Sequence, residues 1–410
     1  MTVIDEFAAR VEARVIADRR DIHQNPELGN REFRTSKLVT DRLGELGIET
    51  KTGIAHTGVV GLLHGSQPGR VVALRADMDA LPVREEVDVS FASRVRTTYD
   101  GNEVSVMHAC GHDAHVAILL GVAEVLVKMR DQIRGTVKFI FQPAEEGAPE
   151  GEEGGAELMV KQGVLDNPKV NAIFGLHVGS RIHVGQIGYK LGGAMAAVDT
   201  LRIVVRGRQT HGAYPWLGVD PIVVASQIVL GLQTIPSRQM ESTLAPTIVS
   251  IGIIRGGVRN NIIPGEVEMI GTLRSLDLGM REQLHERVKR TAELIAASAG
   301  AKAEVAITRG YPITHNDPAL TEKMLPALRR VAGEKNVLPA PATLGAEDFS
   351  FYQEKVPGLF FWLGTRPIDQ SEQDAPSNHS PRFYVDESGL LLGVKALATC
   401  AIDYLAGIAG

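Results

Sequence analysis

Cysteine is scarce in this chain, and long apolar runs are lacking. Only Cys110 and Cys400 occur in 410 residues, and two cysteines cannot build a disulfide framework, which favours a reducing compartment. No run of about 18 apolar residues is present, so the sequence predicts no membrane-spanning helix. The first helical segment carries charges throughout and lacks the apolar core of a signal peptide. We therefore expect a cytoplasmic protein.

An excess of positive charge is also lacking. The formal net charge is -6, with 44% hydrophobic and 22% charged residues, an ordinary composition for a globular protein. Nucleic acid is therefore not an expected partner. A small anionic substrate stays compatible with this charge, because its capture depends on local cations. The length accommodates two domains, or one large α/β core with an inserted module.

Short apolar strands alternate with helical segments in the first half of the chain. The pattern predicts strands at 70–76, 136–142 and 171–178, and a helix at 114–129. This alternation is typical of βαβ units and predicts an α/β fold with a mostly parallel sheet. Ligands bind such sheets just beyond the carboxyl ends of the strands. We therefore expect function at the ends of these strands.

The order of predicted strands and helices changes between residues 195 and 310. There it is β-α-β-β-α-β, that of a ferredoxin-like module. Asp220 is expected to cap one of its helices, with Pro221 in the first turn. We read this module as an insertion. The predicted domains are a catalytic domain in two parts, 1–193 and 311–410, and a satellite domain, 194–310.

Acidic and imidazole side chains follow the predicted strands of the first domain. Asp77 and Asp79 follow one strand, Glu145 and Glu146 follow another, and His177 ends a third. Because these strand ends meet at one edge of the sheet, we expect the side chains to lie close together. Adjacent glutamates cannot easily point the same way on an extended segment. One can ligate a metal while its neighbour acts as a general base on a metal-activated water.

The segment "MHACGHDAH" adds Cys110 and His112 at the start of a helix, and His379 lies near the C-terminal helix. Thiolate, imidazole and carboxylate ligands suit zinc, and also manganese, cobalt or nickel. Five candidate ligands indicate two divalent ions rather than one. His108 and His115 are either direct ligands or partners that orient a ligand.

The inserted module carries a second group of candidates. His211 lies in a loop flanked by glycine and proline, where it has either a functional role or that of an ordinary loop histidine. Arg274 can hold a carboxylate through two parallel hydrogen bonds, and Asn261 can donate to a developing oxyanion.

Taken together, nine segments along nearly the whole chain resemble the M20 metallopeptidases, in particular the amidohydrolase branch with hippurate hydrolases, N-acyl-L-amino acid amidohydrolases and auxin-conjugate hydrolases. The segments are "HQNPELGNREF", "ALRADMDALPV", "MHACGHDAH", "FQPAEEG", "GLHV", "THGAYP", "NNIIPGEVEMIGTLRS", "GAEDFSFY" and "NHSPRF". The resemblance implies a zinc-peptidase-like catalytic domain with a mixed, mostly parallel sheet, and a ferredoxin-like satellite domain with a dimerisation or lid role.

The resemblance also implies residue roles. The metal ligands would be Cys110, His112, Glu146, His177 and His379. Glu145 would be the general base and Asp77 would support the site, whereas His211 would stabilise the oxyanion and reach the active site of a partner subunit.

Asn261 and Arg274 would hold the substrate carboxylate. The motif that contains Glu347 and Asp348 matches without an assigned role, and Arg75 stands where many relatives have a ligating histidine.

The expected function is hydrolysis of the amide bond of N-acyl-amino acids, such as hippurate-like substrates, with two divalent ions (Zn or Mn, with Co or Ni also possible). The alternative is a dipeptidase or metallocarboxypeptidase with the same dinuclear site. A homodimer or homotetramer is expected, without nucleic acid or membrane partners. A non-catalytic scaffold is disfavoured because the base and the ligands are all present. Cys110 as a nucleophile stays a minor alternative, since a helix start lowers a thiol pKa.

Overall fold

The structure, a computed structural model, describes residues 3–407 and contains two compact units. The first unit consists of the chain up to Gly192, His315–Pro341, and the chain from Phe351 onward. The second consists of Gly193–Thr314 and Ala342–Ser350. The second unit therefore includes a short segment that the sequence assigns to the catalytic domain.

The described helices are α1 (Val3–Gln24), α2 (Phe33–Glu45), α3 (His112–Lys128), α4 (Gly155–Lys161), α5 (Pro221–Thr234), α6 (Leu278–Ser298), α7 (Pro318–Ala332), α8 (Ser350–Gln353) and α9 (Leu390–Ala406). The described strands are β1 (Glu49–Ile54), β2 (Gly58–His64), β3 (Gln67–Asp77), β4 (Arg96–Tyr99), β5 (Asn102–Ser105), β6 (Arg134–Gln142), β7 (Ala172–His183), β8 (Ile187–Tyr189), β9 (Gly192–Met195), β10 (Ala197–Arg206), β11 (Thr210–His211), β12 (Thr247–Gly256), β13 (Ile262–Ile263), β14 (Glu266–Ser275), β15 (Lys302–Arg309), β16 (Thr314–Asn316), β17 (Val337–Pro339) and β18 (Gly358–Arg366).

An eight-stranded sheet forms the centre of the first unit, in the order β1-β2-β6-β3-β7-β18-β8-β17. The four central strands β6, β3, β7 and β18 are parallel to their neighbours in this group. The pairs β1–β2, β2–β6 and β8–β18 are antiparallel. All residues of β18 are buried, as expected for a strand covered on both faces. The mixed, mostly parallel sheet confirms the predicted α/β class.

One segment, Glu387–Ala406, is long and apolar enough to cross a membrane, with a mean hydropathy of 1.5, although the sequence predicts no such helix. In the structure 72% of this apolar window is buried inside the protein. Helix α9 contacts α1, α3 and α7, and Cys400 lies fully buried in the same core. The apolar surface of this segment is thus used in the packing of the first unit.

The second unit contains a four-stranded antiparallel sheet in the order β12-β14-β10-β15. Its apolar face packs in one core with residues of α5 and α6. This strand order is that of a ferredoxin-like module. The side chain of Asp220 accepts hydrogen bonds from the first-turn amides of α5, and Pro221 begins the helix, which confirms the predicted cap. The dimerisation or lid role of this unit stays a prediction.

A buried ion pair links β10 to α6 in the second unit. Asp199 forms a two-point pair with Arg281, with Nε at 2.9 Å from Oδ2, and His285 Nε2 lies 2.6 Å from the same oxygen. The Gly310 amide donates to the other oxygen at 3.1 Å. Burial opposes ionisation of Asp199, but the hydrogen bonds from Arg281 and His285 outweigh it and hold its pKa well below the usual value.

Candidate active site

The parallel strands β3 and β6 end side by side, with Asp77 paired in register with Gln142. The two acidic motifs that follow these strands therefore meet at one edge of the sheet. Between Gln142 and the two glutamates, Ala144 has a left-handed φ of 51°, a conformation that costs about 1–3 kcal/mol for a residue other than glycine. Buried Glu32 stabilises this turn by accepting a hydrogen bond of 2.9 Å from the Ala144 amide.

The start of α3 places Cys110 and His112 on either side of Gly111. Gly111 has φ 94°, and a Cβ atom there would lie 2.3 Å from Cγ2 of Val178 in β7. His112 is fully buried, and its Nδ1 donates to Asp79 Oδ1 at 3.2 Å. Nε2 is the other ring nitrogen, and it has no hydrogen-bond partner among the described residues. A buried imidazole nitrogen of this kind fits a metal ligand.

All five predicted metal ligands lie in one cluster, together with Glu145. Three sets of ligand-capable atoms each lie within 4.8 Å of one another: Cys110, His112 and His177; Cys110, Glu146 and His379; and His112, Glu145 and Glu146. Cys110, His112 and Glu146 each belong to two of these sets. A shared thiol and a shared carboxylate are an arrangement that suits two cations close together.

Backbone contacts orient the two remaining imidazoles. His177 Nδ1 donates to the Val178 carbonyl at 2.8 Å, so its Nε2 carries the lone pair and lies 3.3 Å from Cys110 Sγ. His379 has a left-handed φ of 70°, and its amide donates to the Ala109 carbonyl at 2.7 Å. Its Nε2 lies 3.0 Å from Glu146 Oε1. Both rings therefore present a nitrogen to the cluster.

The electrostatics of the cluster fit a cation. Burial disfavours a charged His112, but Asp77 and Cys110 outweigh it and raise its pKa well above the usual value. Hydrogen bonds with Cys110 and Glu146 raise the pKa of His379 to about 10. Burial, and then the charge of Glu146, raises the pKa of the Cys110 thiol. Protons thus occupy positions that a divalent cation would take, and its binding would displace them.

This result also bears on the alternative role of Cys110. A nucleophilic cysteine needs a lowered thiol pKa, and the helix start was expected to lower it. Burial instead raises the pKa of Cys110. The expectation that the helix start lowers the pKa of Cys110 is therefore wrong.

Asp77 and His115 lie behind the ligand cluster and are already hydrogen-bonded. His115 Nδ1 donates to Asp77 Oδ1 at 2.5 Å, and its Nε2 accepts from the Val178 amide at 2.9 Å. Because both ring nitrogens are engaged, His115 orients other groups rather than binding a metal, although its atoms lie close enough to Asp77 and His112 for a metal group. Burial lowers the pKa of His108 to about 3, and neither of its buried ring nitrogens has a hydrogen-bond partner among the described residues.

The second unit brings His211 and Asn261 together. Strand β11 pairs with β13, with His211 opposite Ile262, and the Gly212 amide donates to the Asn261 carbonyl at 2.8 Å. The Ala213 amide donates to His211 Nδ1 at 3.0 Å, so the exposed Nε2 of His211 carries a proton that it can donate.

Arg274 lies far from these two residues within one chain. Its Nη1 donates to the Leu344 carbonyl at 2.6 Å. It lies eight positions along β14 from Glu266, about 26 Å at the rise of a β-strand, and β11–β13 continues the ladder beyond the Glu266 end. The two predicted carboxylate-binding residues, Asn261 and Arg274, are therefore not neighbours in one chain.

Glu347 and Asp348 belong to the second unit, where both are buried. Glu347 Oε1 accepts a hydrogen bond of 2.9 Å from the Phe349 amide, and its carbonyl accepts one of 2.8 Å from the Ser350 hydroxyl. These contacts stabilise the local turn.

Sequence reasoning left three supporting residues without a role. Asp79 accepts from His112 and also from the Glu146 amide at 2.8 Å, and its position two residues after Asp77 was the available signal. Arg75 is a charged residue inside an apolar strand, which is itself a signal. Glu32 gives no local signal, because its partner Ala144 lies 112 positions away.

Comparison with known proteins identifies the family of this chain. Residues 73–403 match the model of Peptidase family M20/M25/M40. The chain is 43% identical over 396 residues to "Thermostable carboxypeptidase 2" of Saccharolobus solfataricus, covering 96% of each chain. It is 39% identical to "N-acetylcysteine deacetylase" of Bacillus subtilis, covering 96% of this chain and 97% of the relative.

Among solved structures, the YXEP protein of Bacillus subtilis, described as a dinuclear metal binding peptidase from the M20 family, superposes with a TM-score of 0.82 at 37% identity. The match covers 98% of this chain and all of the other. Relatives that hydrolyse amide bonds, aligned over nearly the full length, show that this chain is a hydrolase of the same type. The protein belongs to peptidase family M20/M25/M40, a family of metallohydrolases.

Proposed function

We propose that this protein is a metal-dependent amidohydrolase that cleaves the amide bond of N-acyl-amino acids, including hippurate-like substrates. The observation that carries the proposal is the convergence of five ligand-type side chains with one further carboxylate, Glu145. One thiol, three imidazoles and one carboxylate suit two divalent ions, zinc or manganese, and also accept cobalt or nickel.

Cations bound by these residues would supply Lewis acidity that lowers the pKa of water and polarises the amide carbonyl. Glu145 accepts the proton of the attacking water and delivers it to the leaving amine. Glu145 is 6% exposed, and its Oε2 lies 3.9 Å from His112 Nε2. Glu146 is engaged with His379, so the two adjacent glutamates have different roles.

Residues of the second unit bind and stabilise the substrate in this proposal. The protonated Nε2 of His211 donates to the oxyanion of the tetrahedral intermediate. The guanidinium of Arg274, held by the Leu344 carbonyl, binds the free carboxylate of the substrate. Arg274 lies about 26 Å along β14 from the strand end beyond which Asn261 lies, too far for one small substrate to contact both residues of the same chain. This separation supports a homodimer or homotetramer in which Arg274 and the pair His211 and Asn261 come from different subunits, and we propose that the partner subunit supplies His211 and Asn261.

A mixing experiment tests the shared site. Glu145→Gln and His211→Ala, each prepared alone, are expected to be nearly inactive. Mixed and re-equilibrated, they form hybrids with one intact site, built from Glu145 of one subunit and His211 of the other. Recovery of up to about a quarter of wild-type activity is expected for random pairing into dimers. Mixtures no more active than their components, although hybrids form, would contradict the shared site.

The substrate class is tested with a panel of hippurate, acetyl- and indoleacyl-amino acids and dipeptides, each with a free and an amidated carboxyl group. Metal content is measured before and after chelation. We expect turnover of N-acyl-amino acids only with a free carboxylate and only with metal. Full activity after complete removal of metal would refute the mechanism.

A second candidate is a metallocarboxypeptidase or dipeptidase, favoured by the 43% identity to a protein named as a carboxypeptidase. Both activities cleave an amide next to a free carboxylate. A higher kcat/KM for peptides than for acyl-amino acids in the same panel would favour this candidate.

A further inference from the structure

Arg75 is a fully charged side chain in the core of the first unit. It lies on β3 and is 1% exposed. A buried guanidinium is costly unless its charge is paired and its N–H groups are hydrogen-bonded. Its Nη1 donates to Asp77 Oδ2 at 2.6 Å, and its Nε donates to Gln142 Oε1 at 2.9 Å. These two contacts connect Arg75 to both strand ends that carry the acidic motifs.

The first contact begins a chain of hydrogen bonds that passes through the backbone of Val178. Asp77 uses its other oxygen to accept from His115 Nδ1, and His115 Nε2 accepts from the Val178 amide. The Val178 carbonyl in turn accepts from His177 Nδ1. The Asp77 carboxylate and the Val178 amide thus determine which nitrogen of His115 carries a proton, and the Val178 carbonyl determines this for His177. The chain ends where His177 Nε2 lies 3.3 Å from Cys110 Sγ.

The second contact reaches the other side of the cluster. Gln142 Oε1 also accepts from the Tyr352 hydroxyl at 3.0 Å. Gln142 is the last residue of β6 and lies three positions before Glu145. The guanidinium therefore ties the end of β3 to the end of β6.

Asp77 lies close enough to the ligand cluster to act as a metal ligand. Its Oδ2 lies 3.7 Å from His112 Nε2, the nitrogen without a hydrogen-bond partner among the described residues. The hydrogen bond from Arg75 occupies this same oxygen. The two carboxylates thus have different roles: Asp77 accepts hydrogen bonds, and Glu146 is the one that ligates metal in the proposed function.

We propose that Arg75 is a positioning residue for the metal ligands: it keeps Asp77 as a hydrogen-bond acceptor and, through His115 and Val178, sets the orientation of His177. This inference rests on the proposed function, because it takes His177 as a ligand. It extends that function by assigning a role to a buried cation that touches neither substrate nor metal.

The experiment titrates metal-free protein with Co²⁺ and records its visible and near-ultraviolet spectrum, which reports ligand geometry and thiolate coordination without any assay of activity. In Arg75→Met we expect Co²⁺ to bind about 10- to 100-fold more weakly, the range for loss of a group that orients a ligand. We also expect shifted ligand-field bands. Arg75→Lys keeps the charge and is expected to recover part of the affinity.

Lys138→Met is the matched control. Lys138 is 1% exposed on the neighbouring strand β6, and its Nζ donates to the carbonyls of Val164 and Pro168. Losing this buried cation is expected to lower the thermal midpoint but to leave Co²⁺ affinity and spectrum as in the wild type. An equal loss of Co²⁺ affinity in Lys138→Met would overturn the proposal.

His115→Asn covers the case in which Arg75→Met does not fold. It interrupts the chain at its centre while Arg75 and Asp77 stay in place, and we expect the same weakening and the same spectral shift. Wild-type affinity and spectrum in a folded Arg75→Met, or in His115→Asn when Arg75→Met does not fold, would overturn the positioning role. A wild-type protein that binds no Co²⁺ and shows no thiolate band would instead refute the proposed metal-dependent function.

Discussion

Gly111 tests whether the packing of β7 against the loop at the start of α3 determines the metal site. In Gly111→Ala, a residue with a side chain must adopt φ 94°, which costs about 1–2 kcal/mol. Its Cβ would also lie 2.3 Å from Val178 Cγ2, and overpacking of this kind costs about 1–3 kcal/mol. We expect a total destabilisation of about 2–5 kcal/mol, measured as denaturant unfolding of the metal-free protein.

The same substitution should weaken metal binding. Val178 donates to His115 and accepts from His177, so a shift of Val178 turns both rings, and about a tenfold loss of affinity or more follows. Gly101→Ala is the control, because Gly101 has φ 77° with nothing within 4 Å of its added Cβ. It should show the backbone cost alone. Equal destabilisation of the two variants, or wild-type metal affinity in Gly111→Ala, would refute this reasoning.

Three further predictions concern catalysis, stability and pH. Glu145→Gln should lower kcat by about 10²- to 10⁴-fold with metal content retained, measured by kinetics and metal analysis; loss of the metal would identify Glu145 as a ligand instead. Asp199→Asn should destabilise the protein by about 3–5 kcal/mol. The pKa of Asp199 is lower in the folded than in the unfolded protein, so its ionised form stabilises the fold above about pH 4, the pKa of an unfolded Asp. This stabilisation is lost as the pH falls towards the folded pKa. Urea unfolding measured against pH should show the loss in the wild type and not in the variant. The raised pKa values of His112 and His379 mean that a bound cation displaces protons at neutral pH. The affinity for metal should therefore rise about tenfold per pH unit for each proton displaced, and calorimetry in two buffers counts these protons. A metal affinity independent of pH between about 6 and 8 would contradict the assignment of these histidines as ligands.

Local patterns in the sequence were sufficient for the elements of the fold. The apolar runs of β3, β6 and β7 and the periodicity of α3 depend on neighbouring residues, and the structure contains each of them. Asp220 was predictable as a helix cap because a cap acts on amides two or three residues away. The grouping of candidate ligands also followed from sequence, since the carboxyl ends of parallel strands lie at one edge of a sheet.

The sequence by itself thus determined the α/β class and which side chains are able to bind metal. Only the tertiary structure decided which of these side chains lie together and which are already engaged in hydrogen bonds. His115 resembles a ligand in sequence, but its partner Val178 lies 63 positions away and occupies its second nitrogen. Asn261 and Arg274 look like one substrate site in sequence, but a β-strand separates them. The physical reason is that lone pairs, tautomers and distances depend on partners that meet only when remote segments pack together.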